Sequence, residues 1–486
     1  AKLIFDKFGI DIAENFFDIM IASYLISSAR TDYQISTLMY DYFKIGPISQ
    51  ASIGNKEAVY IYKLRERLDN ELKDKNLQEL FYKLEMPLVD VLFRIEKNGI
   101  KIDCDLLNKL SKDLQKQLSK LIEDIYKLSK KEFNINSPKQ LRVILFEDLK
   151  LPIVKKTKTG PSTDEEVLRK LSGRHKIPSL ILEYRQITKL KSTYVDVLPN
   201  LCDKKTKRIH SNFLQTGTET GRLSSNNPNL QNIPIKTELG REIRSAFISS
   251  FSKSALLSGD YSQIELRILA HLSKDEVLIK AFRDDCDIHK TTASLIYQVE
   301  INEVEEHMRE LAKRVNFGVI YGMSAYGLSK DLDISTQEAQ DFIDTYFLRY
   351  PKVNEFIMDQ IESARDNGYI STILGRRRYF PYINSKNNSL RQFSERQAVN
   401  AAIQGSAADL IKLAMIDIQK ELDRKNMQTK MVLQVHDELV FDFPLEEKEE
   451  LIAVVKKGME EAIKLDVHIK ASLKIGKNWN QMQTVK

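Results

Sequence analysis

One stretch constrains most strongly what this chain can fold into. It consists of an apolar run, an acidic residue and a predicted helix. Residues 254–272 read SALLSGDYSQIELRILAHL. The run at 255–257 predicts the end of a buried strand, and the leucines and isoleucines from Leu266 onward recur at helical spacing. A strand would therefore carry Asp260 to a strand–helix junction facing a cleft, and Glu265 follows one helical turn later. An aspartate that caps an ordinary helix explains the stretch equally well.

Length and composition indicate a soluble globular protein of several domains. The chain has 486 residues, of which 42% are hydrophobic and 29% charged, and this length predicts about three domains. A net charge of +6 mildly favours a polyanionic partner. The cysteines Cys104, Cys202 and Cys286 show neither metal nor disulfide spacing, which predicts a reducing compartment. No membrane-length apolar run or signal peptide is visible, and the start at Ala1 leads us to expect that an upstream part was removed.

The first 200 residues predict mostly helices. Asp18 places one carboxylate in an apolar setting, but the convergent set that two-metal nuclease chemistry needs cannot be assembled around it. A structural role is therefore favoured for this region. A helix opening at Met86 ends near Gly99, and two long helices follow at about 103–131 and 177–198.

Two polar segments are candidate contacts to a polyanion. The loop KKTKTGPST at 155–163 combines lysines with hydroxyls, which suits phosphate binding, and a plain surface loop is the alternative. Residues 216–234, TGTETGRLSSNNPNLQNIP, form an ordered functional loop or a linker. Their side chains can bind anions or hydrogen-bond to a nucleic-acid backbone or groove edge. The candidates in the two segments are Lys155, Lys156, Lys158, Arg222, Asn229, Gln231 and Asn232.

A basic and aromatic helix face is predicted at 309–322. Arg309, Lys313 and Phe317 are spaced four residues apart and so share one face, which Tyr321 continues. That face offers two cations for a polyphosphate and rings for a base or sugar. An amphipathic helix with exposed cations is the alternative.

Two further segments complete this region. GRRRYF at 375–380 is either a nucleic-acid contact or a solvated turn. A helix starting near Arg396 carries many small residues, which would let another backbone or a nucleic acid approach closely. Arg396, Asn400 and Gln404 share one of its faces.

The last segment with candidate chemistry is a hairpin at 431–443. Apolar, β-branched arms flank a polar turn that contains His436, Asp437 and Glu438. Adjacent carboxylates between apolar strands are costly unless they face a cleft, a cation or solvent, and an exposed charged turn is the alternative. A final strand is expected near 473–479.

These parts fit one reaction, nucleotidyl transfer on a nucleic acid. Asp260 and Asp437 lie at separate strand ends, and such a pair can hold two magnesium ions that activate a hydroxyl and steady a leaving pyrophosphate. Arg309 and Lys313 would neutralise the triphosphate, while Phe317 and Tyr321 would bracket the incoming base and sugar.

The ordered motifs resemble those of family A DNA polymerases. DYSQIELR at 260–267, the R-x3-K-x3-F-x3-YG pattern at 309–322 and VHDE at 435–438 resemble the three core motifs. The loop at 216–234, SPKQL at 137–141, KKTKTGPSTDEEVL at 155–168 and QGSAADLIKLAM at 404–415 add to the likeness. The resemblance covers roughly residues 85–486.

The resemblance implies an α+β fold shaped like a right hand, with palm, fingers and thumb. It assigns 1–85 to a partial, inactive, ribonuclease-H-like 3′–5′ exonuclease domain and 86–214 to the thumb. The palm would comprise 215–275 and 400–486, and the fingers 276–399. Implied partners are primer–template DNA and deoxynucleotides, the implied cofactor is Mg²⁺ (two ions, with Mn²⁺ as a substitute), and the chain would act as a monomer without a membrane, in a bacterial-type cytoplasm. An organelle or phage origin stays open.

The resemblance also implies a role for each matching residue. Asp260, Asp437 and the Tyr261 carbonyl would bind metal, with Lys313 and Glu438 as further catalytic groups. Glu265 would exclude a ribose 2′-hydroxyl sterically, and Phe317 implies poor use of dideoxynucleotides. Further contacts to the nucleotide or to the primer–template minor groove are implied for Gln263, His289, Arg222, Arg396, Asn400, Gln404 and His436.

The same resemblance predicts that proofreading is absent. Asp18 matches one exonuclease metal ligand, but Ala58 stands where the family has a catalytic aspartate, and a shift of one residue would place Glu57 there instead. The segment with the first acidic pair, and the 5′ nuclease domain, would precede Ala1.

Two other functions are alternatives to a DNA polymerase. A single-subunit RNA polymerase has a similar lysine–tyrosine helix, but Glu265 and Phe317 argue against it. A nonenzymatic nucleic-acid-binding protein with a decayed site conflicts with the presence of Asp260, Asp437 and Lys313.

Overall fold

The fold mixes helices with one central antiparallel sheet. It is taken from a computed structural model, which describes residues 16–30, 32–45, 55–250 and 253–485. Within these ranges no helix is both long and apolar enough to cross a membrane.

The described part of the chain up to residue 98 is helical. Its elements are α1 (Ile19–Ile26), α2 (Ile35–Phe43), α3 (Asn55–Asp74), α4 (Gln78–Leu80), a π-helical turn (Phe81–Glu85) and α5 (Met86–Asn98). The last three follow one another without a break, so the boundary predicted at residue 85 falls inside a continuous helical run. That run ends at Gly99 with φ of +57°, which confirms the predicted stop, because glycine adopts this conformation at little cost.

Residues 100–248 contain a pair of long helices and short strands. The elements are β1 (Ile100–Ile102), α6 (Cys104–Ser129), α7 (Pro138–Arg142), a π-helix (Val143–Asp148), β2 (Lys156–Thr157), β3 (Gly160–Pro161), α8 (Glu165–Ser172), α9 (Lys176–Leu190), a π-turn (Lys191–Val195), α10 (Leu198–Leu201), β4 (Arg208–Ile209), β5 (Asn212–Leu214), β6 (Ser224–Asn226), α11 (Glu238–Ser245) and β7 (Phe247–Ile248). Helix α6 begins after Asp103, whose carboxylate accepts a hydrogen bond from the Leu106 N–H at 2.9 Å. Its buried leucine stripe faces α9, so both predicted long helices are confirmed.

Residues 254–424 run from a buried strand into a helical region. The elements are β8 (Ser254–Tyr261), α12 (Ile264–Ser273), α13 (Glu276–Arg283), α14 (Ile288–Tyr297), a 3₁₀ turn (Ile301–Glu303), α15 (Glu306–Ile320), α16 (Ala325–Leu332), α17 (Thr336–Arg349), α18 (Pro351–Asn367), β9 (Tyr369–Ser371), β10 (Arg377–Tyr379) and α19 (Asn388–Arg424). Strands β9 and β10 form a hairpin that packs against α19.

The remaining chain completes the sheet that organises the molecule. The elements are β11 (Lys430–Val435), β12 (Glu438–Pro444), a 3₁₀ turn (Leu445–Glu447), α20 (Lys448–Glu460), β13 (Ala471–Gly476) and β14 (Met482–Thr484). The strand order is β11-β12-β8-β13-β14, and all neighbours are antiparallel. The predicted hairpin is confirmed as β11 and β12. Because β8 is central and α20 covers one face of the sheet, only the opposite face is left for a site.

Candidate functional site

Side-chain alternation along β8 places Asp260 on the uncovered face of the sheet. A Cβ on Gly259 would lie 2.7 Å from the Met459 sulfur in α20, and the Tyr261 hydroxyl donates to the Met459 carbonyl at 2.9 Å. Successive strand residues point to opposite faces, so Asp260 points away from α20. The helix that follows is capped by the backbone of Gln263, at φ of +55°. Asp260 is therefore not its N-cap, which settles the question left open by the sequence.

The second aspartate reaches the same edge from the neighbouring hairpin. Asp437 lies in the turn between β11 and β12, and its carbonyl accepts from the Tyr261 N–H at 3.2 Å. Glu438 is the direct cross-strand partner of Asp260. Desolvation in the cleft, together with the charges of Glu438 and Asp437, raises the pKa of Asp260 to about 7. Desolvation likewise raises the pKa of Asp437, although Arg222 and His436 oppose it.

Among the described residues, no side-chain hydrogen bond is found for the carboxylates of Asp260 and Asp437, whereas Glu438 accepts such bonds. Its Oε1 accepts from the Ser258 hydroxyl at 2.5 Å and from the Trp479 indole N–H at 3.0 Å. Its Oε2 lies 3.9 Å from an Arg244 guanidinium nitrogen. The oxygens of Asp260 and Asp437 thus stay open towards the cavity, with Glu438 fixed beside them.

The opposite wall of the cleft is α15, whose predicted face is confirmed. Arg309 donates from Nε to Asp287 Oδ2 at 2.8 Å, and Lys313, 43% exposed, lies 3.9 Å from Glu310. Asp287 also caps α14 by accepting from the His289 N–H. Lys313 therefore keeps an exposed ammonium group at this wall, whereas Arg309 is held there by its ion pair with Asp287.

Aromatic rings continue this wall. The rings of Phe317 and Tyr321 are nearly parallel, with centroids 6.4 Å apart, and His289 lies 5.9 Å from Phe317. Burial lowers the pKa of His289 to about 4. Asn316 Nδ2 lies 3.0 Å from His289 Nδ1; since an amide nitrogen only donates, Nδ1 accepts and the ring proton is on Nε2.

Glu265 joins the two walls. Its Oε1 accepts from Arg222 at 2.9 Å, and its Oε2 accepts from the Tyr321 hydroxyl at 3.0 Å. The side chain is 6% exposed, and desolvation raises its pKa. A buried carboxylate with both oxygens occupied fixes the position of the Tyr321 ring at the end of α15.

These groups surround one cavity of about 370 Å³. Eleven of the predicted site residues line it, together with Ile264. They are Arg222, Asp260, Tyr261, Gln263, Glu265, His289, Arg309, Lys313, Phe317, Tyr321 and Asp437. The residues come from five separate stretches of the chain, so the cavity exists only in the folded protein.

The donor set fits a hard divalent cation. In the described residues no three or more His, Cys, Asp or Glu side chains are grouped to hold a metal. Asp260 and Asp437 nevertheless line the cavity with unneutralised oxygens, and their raised pKa values show the cost of that charge. Mg²⁺ takes one or two carboxylates and completes its shell with water and substrate phosphates. The Tyr261 carbonyl would be a further oxygen ligand.

The predicted polar loop at 216–234 also contributes to a second, smaller pocket. Gln231 and His436 line a smaller pocket of about 30 Å³ with Arg222 and Asp437. The amide of Gln231 bonds to Gln434 Oε1 at 2.9 Å and accepts from a backbone N–H. Asn229 accepts from Ser225 and from the Gln231 N–H. Asn229 and Gln231 therefore organise the loop, and direct DNA contacts by them stay predictions.

The small-residue helix leaves one line of polar side chains accessible. Within the buried middle of α19, Arg396, Asn400 and Gln404 are half-buried. Asn400 Oδ1 has no hydrogen-bond partner among the described residues. At Gly405 the close neighbour is protein, since a Cβ there would lie 2.5 Å from Thr372. The predicted close approach is thus made by the β9–β10 hairpin.

The interpretation of GRRRYF as a DNA contact or solvated turn is wrong for two of its arginines. Arg376 is 3% and Arg378 9% exposed. Arg376 pairs with Glu85 and, at 2.7 Å, with Asp409, while Lys412 binds Glu85 at 2.6 Å. This buried cluster was not predicted from the sequence. A lysine inside the apolar run of α19 was the available signal.

The remaining predicted residues lie outside the cavity lining. Lys155, Lys156 and Lys158 are exposed, and Lys155 pairs with Asp164 at 2.8 Å. Asp18 caps α1 through hydrogen bonds from Met20 and Ile21. Ala58 is exposed on α3, and the side chain of Glu57 lies outside the described residues.

Paired carboxylates on an antiparallel sheet, facing a helix with cations and aromatic rings, are the arrangement expected of a nucleotide-transferring polymerase. The model of DNA polymerase family A matches residues 104–481. The chain is 46% identical over 465 residues to DNA polymerase I of Caldicellulosiruptor bescii, covering 95% of this chain and 54% of that protein. It is 44% identical to DNA polymerase I of Bacillus subtilis, covering 97% and 56%.

A solved structure is also similar. The POL domain of Pol1 from M. smegmatis, in complex with DNA primer-template and dNTP, has a TM-score of 0.92 and 39% identity. The match covers 96% of this chain and 82% of that one. The chain belongs to DNA polymerase family A. It spans about half the length of the curated relatives it matches.

Proposed function

We propose that this chain is a template-directed DNA polymerase that adds deoxynucleotides to a primer 3′-hydroxyl and releases pyrophosphate. The observation that carries the proposal is the single cavity lined by Asp260, Asp437, Arg309, Lys313 and Tyr321. Carboxylates, cations and a ring at these positions match the metal, phosphate and base of a nucleoside triphosphate. The DNA and dNTP named for the Pol1 structure support the same substrates here.

Asp260 and Asp437, with the Tyr261 carbonyl, would hold two Mg²⁺ ions. When bound, Mg²⁺ would lower the pKa of the primer hydroxyl and neutralise the leaving pyrophosphate. Arg309 and Lys313 would bind the triphosphate oxygens and stabilise charge that develops on them. Glu438 would support the aspartates from the neighbouring strand.

Nucleotide selection would depend on the bridge between the cavity walls. Glu265 is fixed by Arg222 and Tyr321, and its carboxylate would occupy the space of a ribose 2′-hydroxyl. Phe317 and Tyr321 would contact the base and sugar, and Phe317 would disfavour dideoxynucleotides. Gln263 would line the same pocket, with neutral His289 donating a hydrogen bond from Nε2.

The DNA would lie along the accessible line of α19. Arg396, Asn400 and Gln404, with Arg222 and His436, would contact minor-groove acceptors near the primer end, where all base pairs present similar groups. The half-buried side chains of these three residues, in a helix whose middle is otherwise buried, support this placement. Lys155, Lys156 and Lys158 would contact the phosphate backbone, with Asn229 and Gln231 behind the primer terminus.

We assign 215–275 and 400–486 to the palm, 276–399 to the fingers and 86–214 to the thumb. Residues 1–85 would be part of a 3′–5′ exonuclease domain that does not proofread. Capping of α1 by Asp18, and the exposed Ala58 at the position of the second matched carboxylate, support this assignment. The monomeric state and the cellular location stay predictions.

Primer extension on a DNA template with Mg²⁺ tests the proposal. Parallel reactions would contain dNTPs or rNTPs, and one primer would carry a mismatched 3′ end. We expect extension with dNTPs only and no removal of the mismatch. Extension with rNTPs would indicate an RNA polymerase, and DNA binding without extension would indicate a nonenzymatic binding protein.

A further inference from the structure

The C-terminal segment reaches the acidic edge of the sheet through one side chain. Trp479 is the single tryptophan of the chain, it is 4% exposed, and it follows β13. Its backbone N–H donates to the Phe247 carbonyl at 2.9 Å. Its indole N–H donates to Glu438 Oε1 at 3.0 Å. Two hydrogen bonds, one from the backbone and one from the indole of Trp479, thus hold the C-terminal segment against the sheet.

The indole ring is itself tightly held. The Arg244 guanidinium stacks on its face, 3.8 Å from the ring centroid, and Phe247 meets it edge-on at 5.5 Å. Arg244 is fixed in turn by donating to the Ile233 carbonyl at 3.1 Å. A ring clamped on two sides presents its N–H in one direction, so the bond to Glu438 is geometrically fixed.

The acceptor of this bond adjoins both aspartates. Glu438 follows Asp437 directly and pairs across the sheet with Asp260. A third free carboxylate here could rotate into the cation site or increase the repulsion within it. Bonds from Trp479 and Ser258 instead keep the carboxylate against the sheet.

We infer that Trp479 is a positioning residue, whose indole N–H fixes Glu438 so that Asp260 and Asp437 bind a divalent cation in one geometry. The inference rests on the proposed function and adds a residue from the C-terminal segment to it. Groups that orient the immediate surroundings of a metal commonly change its affinity about 10- to 100-fold when removed. We therefore expect Trp479→Phe, which keeps an aromatic ring but removes the donor, to raise the half-saturating Mg²⁺ concentration about tenfold.

A double-mutant cycle with Glu438→Ala tests how Trp479 acts. Half-saturating Mg²⁺ would be measured by primer extension and, without DNA or nucleotide, by the Mg²⁺-dependent rise in melting temperature. If Trp479 acts through Glu438, Trp479→Phe should have little further effect in the Glu438→Ala background. An equal shift in both backgrounds, or no shift in the wild-type background, overturns the inference.

Two further variants separate positioning from packing. Phe247→Leu removes the edge-on ring but leaves the indole donor and the Arg244 stack, so it should shift the Mg²⁺ dependence less than Trp479→Phe. Ser258→Ala removes the other donor to the same oxygen and should shift it in the same direction as Trp479→Phe. If Trp479→Phe does not fold, the test depends on Ser258→Ala. An unchanged Mg²⁺ dependence in Ser258→Ala would then overturn the inference.

The single tryptophan also gives a direct signal. Titration of the wild-type protein with Mg²⁺ alone should change its Trp479 fluorescence saturably, and Asp260→Ala should abolish that change. Fluorescence that does not respond to Mg²⁺ contradicts the inference. A wild-type protein that shows this change but does not extend primers would refute the proposed function and leave the inference intact.

Discussion

Two groups of carboxylates, those that line the cleft and those in the buried cluster around Glu85, are partnered in opposite ways. In the cleft, Asp260 and Asp437 have no cationic side chain hydrogen-bonded to them among the described residues, and the pKa of Asp260 is raised to about 7. In the buried cluster, burial alone would raise the pKa of Glu85. The positive charges of Lys412 and Arg376 outweigh this effect and lower the pKa to about 2.

The difference separates a functional site from a structural one. Glu85 and Asp409 face two cations at a contact between the N-terminal helical run, the β9–β10 hairpin and α19, so their charge is already neutralised. The cleft aspartates have no such partner within the described part of the chain, so a cation from solution would stabilise their charged forms. Residues that bind a substrate or metal need this unneutralised charge, and its cost is met by the rest of the fold.

The largest expected effect is on activity, at Asp437. Asp437→Ala should reduce primer extension at least about a thousandfold, because a lost metal ligand removes several kcal/mol of transition-state stabilisation. Urea denaturation without metal should show an unchanged or increased free energy of unfolding, since one repelling carboxylate is gone.

The matched control for this variant is Asp437→Asn, which keeps the side-chain shape and should be equally inactive. Duplex DNA binding should persist in both variants. Strong residual synthesis by either would refute the metal-binding role.

The second effect is on stability, at Glu85. Glu85→Gln would leave Arg376 and Lys412 facing Asp409 alone, and an uncompensated buried charge costs about 3–5 kcal/mol. Urea denaturation should show this loss, while activity per folded molecule changes little.

The double variant Glu85→Gln with Lys412→Met removes one charge of each sign. It should recover much of the lost stability, because a balanced replacement of a buried pair is often neutral. If Glu85→Gln alone is as stable as the wild type, the ion pairs of the buried cluster do not stabilise the fold, and the contrast with the cleft fails.

A third, smaller effect concerns His289, which is buried and hydrogen-bonded but carries no charge. Its pKa is lowered to about 4, against about 6.5 in an unfolded chain. Only the unfolded state gains a proton between these values, so stability falls as the pH drops from 6.5 towards 4. Each unit of pKa difference corresponds to about 1.4 kcal/mol, so the loss should not exceed about 3.5 kcal/mol.

Denaturation at pH 7 and pH 5 would measure this loss in the wild type and in His289→Gln, which cannot titrate. The variant should lose less stability than the wild type over this interval. Equal pH dependence in the two proteins would show that His289 is not buried in its neutral form.

The smallest effect is expected at Glu265, a cleft carboxylate that is already paired. Glu265→Ala should increase incorporation of ribonucleotides relative to deoxynucleotides by about tenfold, because a steric block contributes discrimination of roughly 1–3 kcal/mol. The ratio of kcat/KM for the two nucleotides measures it. Glu265→Gln, which keeps the bulk, should retain most of the selectivity, and unchanged discrimination in Glu265→Ala would remove the proposed role.

Much of the fold could be predicted from local patterns. Strand β8, helix α6 and the β11–β12 hairpin follow from apolar periodicity, and Gly99 ends α5 as predicted. The face formed by Arg309, Lys313 and Phe317 follows from a spacing of four residues. These features depend on interactions within one segment, which the sequence displays directly.

The sequence by itself determined which residues carry chemistry: two aspartates on strand ends, a helix face with cations and rings, and a polar loop. Only the tertiary structure decided how they are partnered. In the folded protein Arg376 and Arg378 are buried. Asn229 and Gln231 form hydrogen bonds that hold their own loop in place, and the Trp479 indole donates to Glu438. The physical reason is that burial and pairing depend on how separate elements pack, from 41 residues apart for Trp479 and Glu438 to 291 for Arg376 and Glu85, and such contacts leave no periodic signal in the chain.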